Sequence, residues 1–125
     1  MKVLLISDPN TETAAASLEI GVGSYHDPKY LPGLAHLMEH MLFKGFSSEE
    51  NNFANLISFN GGSYDAYTQD EATNFHFEVT HNMLESALDQ FSKYFTNLII
   101  KSDKIENEVK YIDKEFEKAL GNINW

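Results

Sequence analysis

The sequence predicts an α+β fold, with an antiparallel sheet that carries helices packed on one face. Strand-like and helix-like segments both come in pairs, in the order two strands, two helices, two strands, two helices. The links between paired strands are short, which suits antiparallel hairpins, because parallel strands need long crossover connections. With 125 residues and 42% apolar content, the chain can form one domain or part of one.

The opening pair of strands is predicted at residues 2–7 and 14–22. The first run is mostly apolar, which is typical of a buried strand, and Pro9 with its polar neighbours provides a turn. In the second run Leu18 and Ile20 alternate with polar or small residues, the period of a half-buried strand. The two runs are therefore expected to form a hairpin.

Two helices are predicted next, the first at residues 34–44 and the second ending near residue 59. Gly45 is expected to cap the carboxyl end of the first helix. Ser47 or Ser48, followed by two glutamates, is expected to cap the amino end of the second. An Asn-Gly-Gly sequence then breaks the helical pattern.

A second hairpin and a second pair of helices are predicted in the rest of the chain. Strands at residues 63–68 and 73–80 are expected to pair through a turn at residues 69–71. Apolar residues then recur at helical spacing over residues 83–96, and again from residue 102 to beyond residue 117.

Composition excludes several classes of function. The net charge of −10, from 19 acidic and 9 basic residues, argues against nucleic acid as a partner, because neutralising phosphates needs clustered lysine and arginine. The chain has no cysteine, which excludes disulfides and thiolate catalysis and fits a reducing, cytoplasmic location. No apolar run approaches the roughly 20 residues of a membrane span. The apolar run at the amino terminus is too short for a signal peptide.

The chemistry of the sequence is concentrated in the predicted helix at residues 34–44. His36 and His40 are four residues apart, so both imidazoles point to the same side, one turn from each other. That geometry suits two nitrogen ligands on one Zn²⁺ ion. Glu39 lies on the same side and can act as a general base on a metal-bound water. The pattern His-x-x-Glu-His is that of the inverzincins, and its apolar surroundings would make unliganded histidines costly.

A catalytic zinc ion usually has a third protein ligand, and beside two histidines a carboxylate is expected. The last predicted helix offers several acidic residues, and helical periodicity does not choose among them: Glu106, Glu108, Asp113, Glu115 and Glu117. The three other histidines, His26, His76 and His81, are predicted to be structural or on the surface.

The sequence resembles the inverzincin metallopeptidases of the insulin-degrading enzyme (insulysin) and pitrilysin family, and among its subgroups is most similar to the insulysin-like enzymes. The likeness spans nearly the whole chain in order. It rests on LLISDP at residues 4–9, GVGS at 21–24 before DP at 27–28, GLAHLMEHMLFKG at 33–45, GGS at 61–63, AYT at 66–68, TNF at 73–75, and EV at 108–109 followed by EFEK at 115–118.

The resemblance implies a role for each residue of the candidate site. His36, His40 and Glu115 would be the zinc ligands, and Glu39 the catalytic base. Glu108 would be a supporting carboxylate that orients a ligand. The implied architecture is part of a metallopeptidase domain like those of insulysin and the mitochondrial processing peptidase.

The resemblance also implies that residues 63–68 offer a strand edge to an extended peptide, with Asp65, Ala66 and Tyr67 as its binding residues. The sequence departs from the family at Asp65, where an asparagine usually precedes the alanine. Asparagine donates and accepts hydrogen bonds, whereas an ionised aspartate only accepts, so the grip on a peptide backbone is expected to differ there.

Residues 1–125 are thus expected to be the N-terminal zinc-binding portion of a truncated peptidase domain. Family members build a closed chamber, so further domains or a partner subunit would complete the site. The expected function is zinc-dependent endopeptidase activity on peptides and small unfolded polypeptides, weak in the isolated chain. Two alternatives stay open: a non-catalytic scaffold subunit of the same fold, and a metal- or peptide-binding module without a reaction.

Overall fold

The computed structural model describes residues 1–44, 52–96 and 102–121. Short 3₁₀ turns lie at Ser24–His26 and His81–Met83. The strands and helices, in chain order, are β1 (Thr13–Ile20), α1 (Leu34–Lys44), α2 (Asn52–Phe59), β2 (Ser63–Thr68), β3 (Thr73–Thr80), α3 (Leu84–Thr96) and α4 (Ser102–Gly121).

The three strands form one antiparallel sheet in the order β1-β3-β2. The predicted hairpin of β2 and β3 is confirmed, with Ser63 opposite Glu78 and Thr68 opposite Thr73. On its other side β3 pairs with β1 along the whole length of both strands, from Thr13 opposite Thr80. Because β3 is central, β1 and β2 are the edges of the sheet within the described part of the chain.

The helices pack on one face of this sheet, as predicted. Phe75, Phe77 and Val79 of β3 point to that face and are almost fully buried. The alternate residues of each strand point to the opposite face. That face is largely polar and includes the exposed Ser17 of β1 and Glu78 of β3. The alternation of apolar and polar residues along the strands, from which half-buried strands were predicted, therefore decides which face the helices cover.

An aromatic cluster fixes α1 to the sheet and to the other helices. Phe43, near the end of α1, makes edge-on contacts with Tyr64, Phe75 and Tyr94, at ring-centre distances of 5.4, 5.1 and 5.3 Å. Phe53 of α2 stacks beside it at 6.2 Å. Aromatic pairs of this kind add about 0.5–1.5 kcal/mol each beyond burial, so the helix that carries both motif histidines is held by the core.

The prediction of a strand at residues 2–7 is wrong. This segment has no strand structure and its apolar side chains are exposed, with Leu5 89% and Ile6 84% accessible. A turn does form beyond it, where the Asn10 amide donates to the Asp8 carboxylate over 2.9 Å, but the segment does not fold back onto β1. Apolar residues predict burial, whereas a strand also requires a neighbour that accepts and donates its backbone hydrogen bonds.

The remaining boundaries differ from the predictions by only a few residues. The strand predicted at residues 14–22 is β1, Thr13–Ile20, and Val22 lies beyond it. The helix predicted at residues 83–96 begins one residue later, after the 3₁₀ turn that contains Met83. The predicted caps at Gly45 and at Ser47 or Ser48 lie outside the described residues.

The amino end of α1 is capped by a residue that lies before the helix in a separate loop. The Asp27 carboxylate accepts hydrogen bonds from the backbone amides of Gly33 and Ala35, over 2.7 and 2.9 Å. Gly33 has a positive φ of 93°, which a residue with a side chain rarely adopts. The carboxylate satisfies two amides that would otherwise lack partners at the first turn, and its charge complements the helix dipole.

Replacing Asp27 with alanine is expected to lower the free energy of unfolding by about 1–2 kcal/mol, because the first turn of α1 loses its cap. Urea denaturation followed by circular dichroism measures this change. Asp89→Ala is the control, since Asp89 makes an exposed ion pair with Lys93 at 3.6 Å and should change stability by less than about 0.5 kcal/mol. Equal stability of Asp27→Ala and the wild type would contradict the capping role.

Candidate metal centre

The two motif histidines meet on one side of α1. The Nε2 atoms of His36 and His40 are 3.1 Å apart. His40 is 2% exposed, and the side chain of His36 is 34% exposed. The pair therefore lies at the edge of the core, with His36 on the side that solvent and a ligand can reach.

Helix α4 packs against α1 and brings a carboxylate to both imidazoles. Oε2 of Glu115 lies 3.2 Å from Nε2 of His36 and 3.6 Å from Nε2 of His40. Tetrahedral zinc has bonds of about 2.0–2.1 Å, so its ligand atoms are about 3.3–3.4 Å apart. The two nitrogens and the oxygen form a triangle of nearly these dimensions, which suits three ligands of one zinc ion.

A second carboxylate of α4 fixes the tautomer of His40. Glu108 is buried, and its Oε2 lies 2.9 Å from Nδ1 of His40. A carboxylate only accepts hydrogen bonds, so Nδ1 carries the proton and donates it. Nε2 of a neutral His40 then has its lone pair free toward His36 and Glu115, which is the form that binds metal.

Glu39 also lies close to the histidines, and it is distinguished from Glu115 by its surroundings. His36, Glu39 and His40 offer ligand atoms within 4.8 Å of one another, so this trio is an alternative set of metal ligands. Glu39 is 8% exposed, and its Oε2 accepts a hydrogen bond of 2.5 Å from the Thr68 hydroxyl. We favour Glu115 as the third ligand because its Oε2 lies 3.2 and 3.6 Å from the two Nε2 atoms, close to ligand spacing.

An open depression of about 570 Å³ adjoins His36. Its wall includes His36, Thr68, Tyr25 and Lys29. A molecule in this depression reaches the His36 imidazole and the end of β2 together.

The other predicted site residues lie apart from this cluster. Asp65 and Tyr67 are exposed on β2, and Ala66 between them faces the helices. β2 is an edge strand in the described part of the chain, so its outer side can accept an added strand.

None of the three other histidines joins the cluster. Nδ1 of His26 accepts from the Gly23 amide over 3.0 Å, Nδ1 of His76 lies 2.9 Å from Oδ1 of Asn74, and His81 is exposed after β3. All three thus lie outside the cluster of His36, His40 and Glu115, and their prediction as structural or surface residues stays a prediction.

Sequence reasoning missed two residues that shape the site, Asp27 and Thr68. Asp27 positions the amino end of α1, and Thr68 holds the carboxylate of Glu39. The Asp27 carboxylate reaches across a loop to backbone amides six and eight residues later, and Thr68 contacts a residue 29 positions earlier. No periodic pattern marks either contact.

The fold agrees with comparisons to known proteins. The family described as Insulinase (Peptidase family M16) matches residues 2–123. The chain therefore belongs to this family of metallopeptidases.

Among curated relatives, the chain is 43% identical to the A-factor-processing enzyme of Saccharomyces cerevisiae and 41% identical to the insulin-degrading enzyme of Homo sapiens. Each match includes 100% of this chain and 12% of the relative. It is 42% identical to the peroxisomal insulin-degrading enzyme-like 1 of Arabidopsis thaliana, over 13% of that protein. The chain thus spans about an eighth of the length of these relatives.

Solved structures agree with the fold. The crystal structure of pitrilysin matches 90% of this chain with a TM-score of 0.81 and 30% identity, over 12% of the pitrilysin chain. A protease from Helicobacter pylori matches 84% of the chain with a TM-score of 0.74; at 24% identity it supports the fold alone.

Among the helices in the described ranges, none is long and apolar enough to cross a membrane.

Loss of a ligand should be visible as loss of bound metal. We expect His40→Ala and Glu115→Ala to bind much less zinc than the parent when all are dialysed against the same zinc-containing buffer, because each variant removes one corner of the triangle. Elemental analysis of the purified proteins measures this. Glu117→Ala is the matched control, an exposed glutamate on the same helix. If Glu115→Ala holds as much zinc as the parent, Glu115 is not a ligand.

Glu108→Ala is expected to weaken zinc binding by roughly tenfold to a hundredfold while keeping all three ligands, because His40 loses the partner that fixes its tautomer. Competition with a chromophoric chelator measures the dissociation constant. The matched control is Glu106→Ala, which removes an exposed carboxylate from the same helix. Unchanged affinity in Glu108→Ala would show that His40 is oriented by its packing alone.

Proposed function

We propose that this chain supplies the zinc-binding half of a metalloendopeptidase site that hydrolyses peptides and small unfolded polypeptides. The observation that carries the proposal is the triangle of His36 Nε2, His40 Nε2 and Glu115 Oε2, with the buried carboxylate of Glu39 beside it. Membership of a peptidase family supports the reaction class.

The positions of the side chains support a proposed role for each of them. His36, His40 and Glu115 would hold Zn²⁺, and Glu108 would keep Nε2 of His40 unprotonated by accepting from Nδ1. When bound, the ion would polarise the scissile carbonyl and lower the pKa of its water. Glu39 would take a proton from that water and pass it to the leaving amine.

The edge of the sheet supports the proposed substrate class. The exposed edge of β2 ends at Thr68, which contacts Glu39 and lines the depression beside His36. An extended peptide added to β2, along Asp65, Ala66 and Tyr67, would run toward the metal centre. The names of two relatives refer to the processing of A-factor and to the degradation of insulin, and the latter agrees with small polypeptides as substrates.

The chain is proposed to act as the N-terminal portion of a larger peptidase. It spans 12% of the yeast and human relatives, and further domains or a partner subunit would close the chamber and stabilise the transition state. The isolated chain is expected to bind zinc weakly, with little turnover. A cytoplasmic location is part of the proposal, based on the absence of cysteine.

The two alternatives differ from the peptidase in a measurable way. A scaffold subunit would not need a buried base beside two imidazoles, and Glu39 is such a group. A structural metal site would close all four coordination positions with protein ligands, whereas the triangle uses three.

Glu39→Gln is expected to reduce peptide cleavage by the complete zinc-loaded assembly by at least about a hundredfold, because an amide cannot take up the proton. Zinc content should stay at the parent value. A quenched fluorogenic peptide measures cleavage, and Glu71→Gln, an exposed glutamate in the turn after β2, is the control. Full activity in Glu39→Gln would exclude Glu39 as the base.

A further inference from the structure

We propose that Thr68 is a positioning residue for catalysis, which holds the carboxylate of Glu39 so that only one of its oxygens is free to act as the base. This inference rests on the proposed function and adds a residue to its machinery. It is carried by one side-chain contact between the end of the edge strand and the helix of the metal centre.

The contact is short and its direction is fixed by chemistry. The Thr68 hydroxyl lies 2.5 Å from Oε2 of Glu39, in a partly buried setting. A carboxylate accepts only, so the hydroxyl donates. Hydrogen bonds from a hydroxyl to a charged oxygen at this distance are among the stronger ones in proteins. Oε2 is thus engaged, while the other oxygen of Glu39 has no hydrogen bond from the described residues.

A base at this position needs such a restraint. The last torsion of a glutamate side chain is broad, so a carboxylate without partners samples many orientations. Proton transfer requires the acceptor oxygen within about 2.6–3.2 Å of the proton donor's heavy atom. A hydrogen bond to one oxygen fixes the plane of the carboxylate and thereby the direction of the other oxygen.

Thr68 is itself held by the backbone around it. The turn after β2 is closed by the Gln69 amide donating to the Ala72 carbonyl over 2.7 Å. The loop before α1 lies on this turn, and the Ser24 amide donates to the Gln69 carbonyl over 2.9 Å. The approach requires glycine at position 23, because a Cβ there would overlap the backbone of the turn. The β-branched side chain of Thr68 also has few rotamers.

The position of Thr68 links binding to chemistry. It is the last residue of β2, the strand proposed to bind a peptide by its edge, and it lines the depression beside His36. Its hydroxyl is directed to Glu39, so it acts on the reaction through the base and does not need to touch the peptide.

Three variants separate positioning from general stability. Thr68→Val removes the hydroxyl and keeps the shape, and Thr68→Ser keeps the hydroxyl. Thr73→Val is the matched control, because Thr73 lies directly opposite Thr68 in the sheet and its hydroxyl donates to the Val22 carbonyl over 2.7 Å, away from Glu39. Kinetics of peptide cleavage are measured in the complete zinc-loaded assembly, together with zinc content.

We expect Thr68→Val to lower kcat by about tenfold or more, with KM within about twofold of the parent and zinc content unchanged. Thr68→Ser should recover most of the loss, and Thr73→Val should stay within about twofold of the parent. Parent-like kcat in Thr68→Val would overturn the proposal. So would an equal loss in Thr68→Ser or in Thr73→Val, since the hydroxyl contact would then not be the cause.

A second measurement does not depend on activity. The carboxyl carbon resonance of Glu39 in the zinc-loaded chain is assigned by its disappearance in Glu39→Gln. It should move in Thr68→Val and return toward the parent position in Thr68→Ser. Failure of the complete assembly to cleave peptides would show that the proposed function is wrong. The resonance would still test whether Thr68 holds the Glu39 carboxylate, and an unmoved resonance in Thr68→Val refutes that role.

Discussion

The packing of α4 against α1 is the contact on which the candidate metal centre depends. It brings Glu108 and Glu115, two turns apart on one helix, to opposite nitrogens of His40. Burying an imidazole and a carboxylate is costly unless each finds a partner. Here the pairing of Nδ1 with Glu108 provides that partner, and in the described residues no buried side-chain polar atom lacks a hydrogen bond. The same contact that offsets the cost of burial leaves Nε2 of His40 directed at His36 and Glu115.

The aromatic core gives this polar cluster a rigid support. Phe43 lies three residues after His40 and is surrounded by rings from the sheet and from α2 and α3. Dense packing of this kind resists small displacements, and ligand atoms must be held within a fraction of an ångström for tight metal binding. The capped amino end of α1 fixes the helix at its other end. The helix is thus restrained on both sides of the histidines.

The edge of the sheet joins this centre to the proposed substrate. β2 has its outer side open in the described part of the chain, and its last residue contacts the buried Glu39. Through this contact, a peptide strand on the edge of β2 would lie next to Glu39.

The sequence by itself determined the local geometry. The spacing of His36 and His40 places both imidazoles on one side of any helix, and the alternation of residues 73–80 defines a buried strand. These features depend on the covalent repeat of one element, so they can be predicted without the rest of the fold. The prediction of a strand at residues 2–7 was wrong because a strand also requires a partner strand, which lies elsewhere in the chain and is not specified by the local pattern.

Only the tertiary structure decided which distant groups join the histidines. Periodicity left five acidic residues of the last helix open, and the family resemblance favoured Glu115. The packing of α4 brings the Glu115 carboxylate to the two Nε2 atoms and directs Glu108 to Nδ1 of His40. Thr68 shows no signal in the sequence pattern for its contact with Glu39. Side chains that are dozens of residues apart meet only because helices and strands pack in one arrangement, and that packing is a property of the whole core.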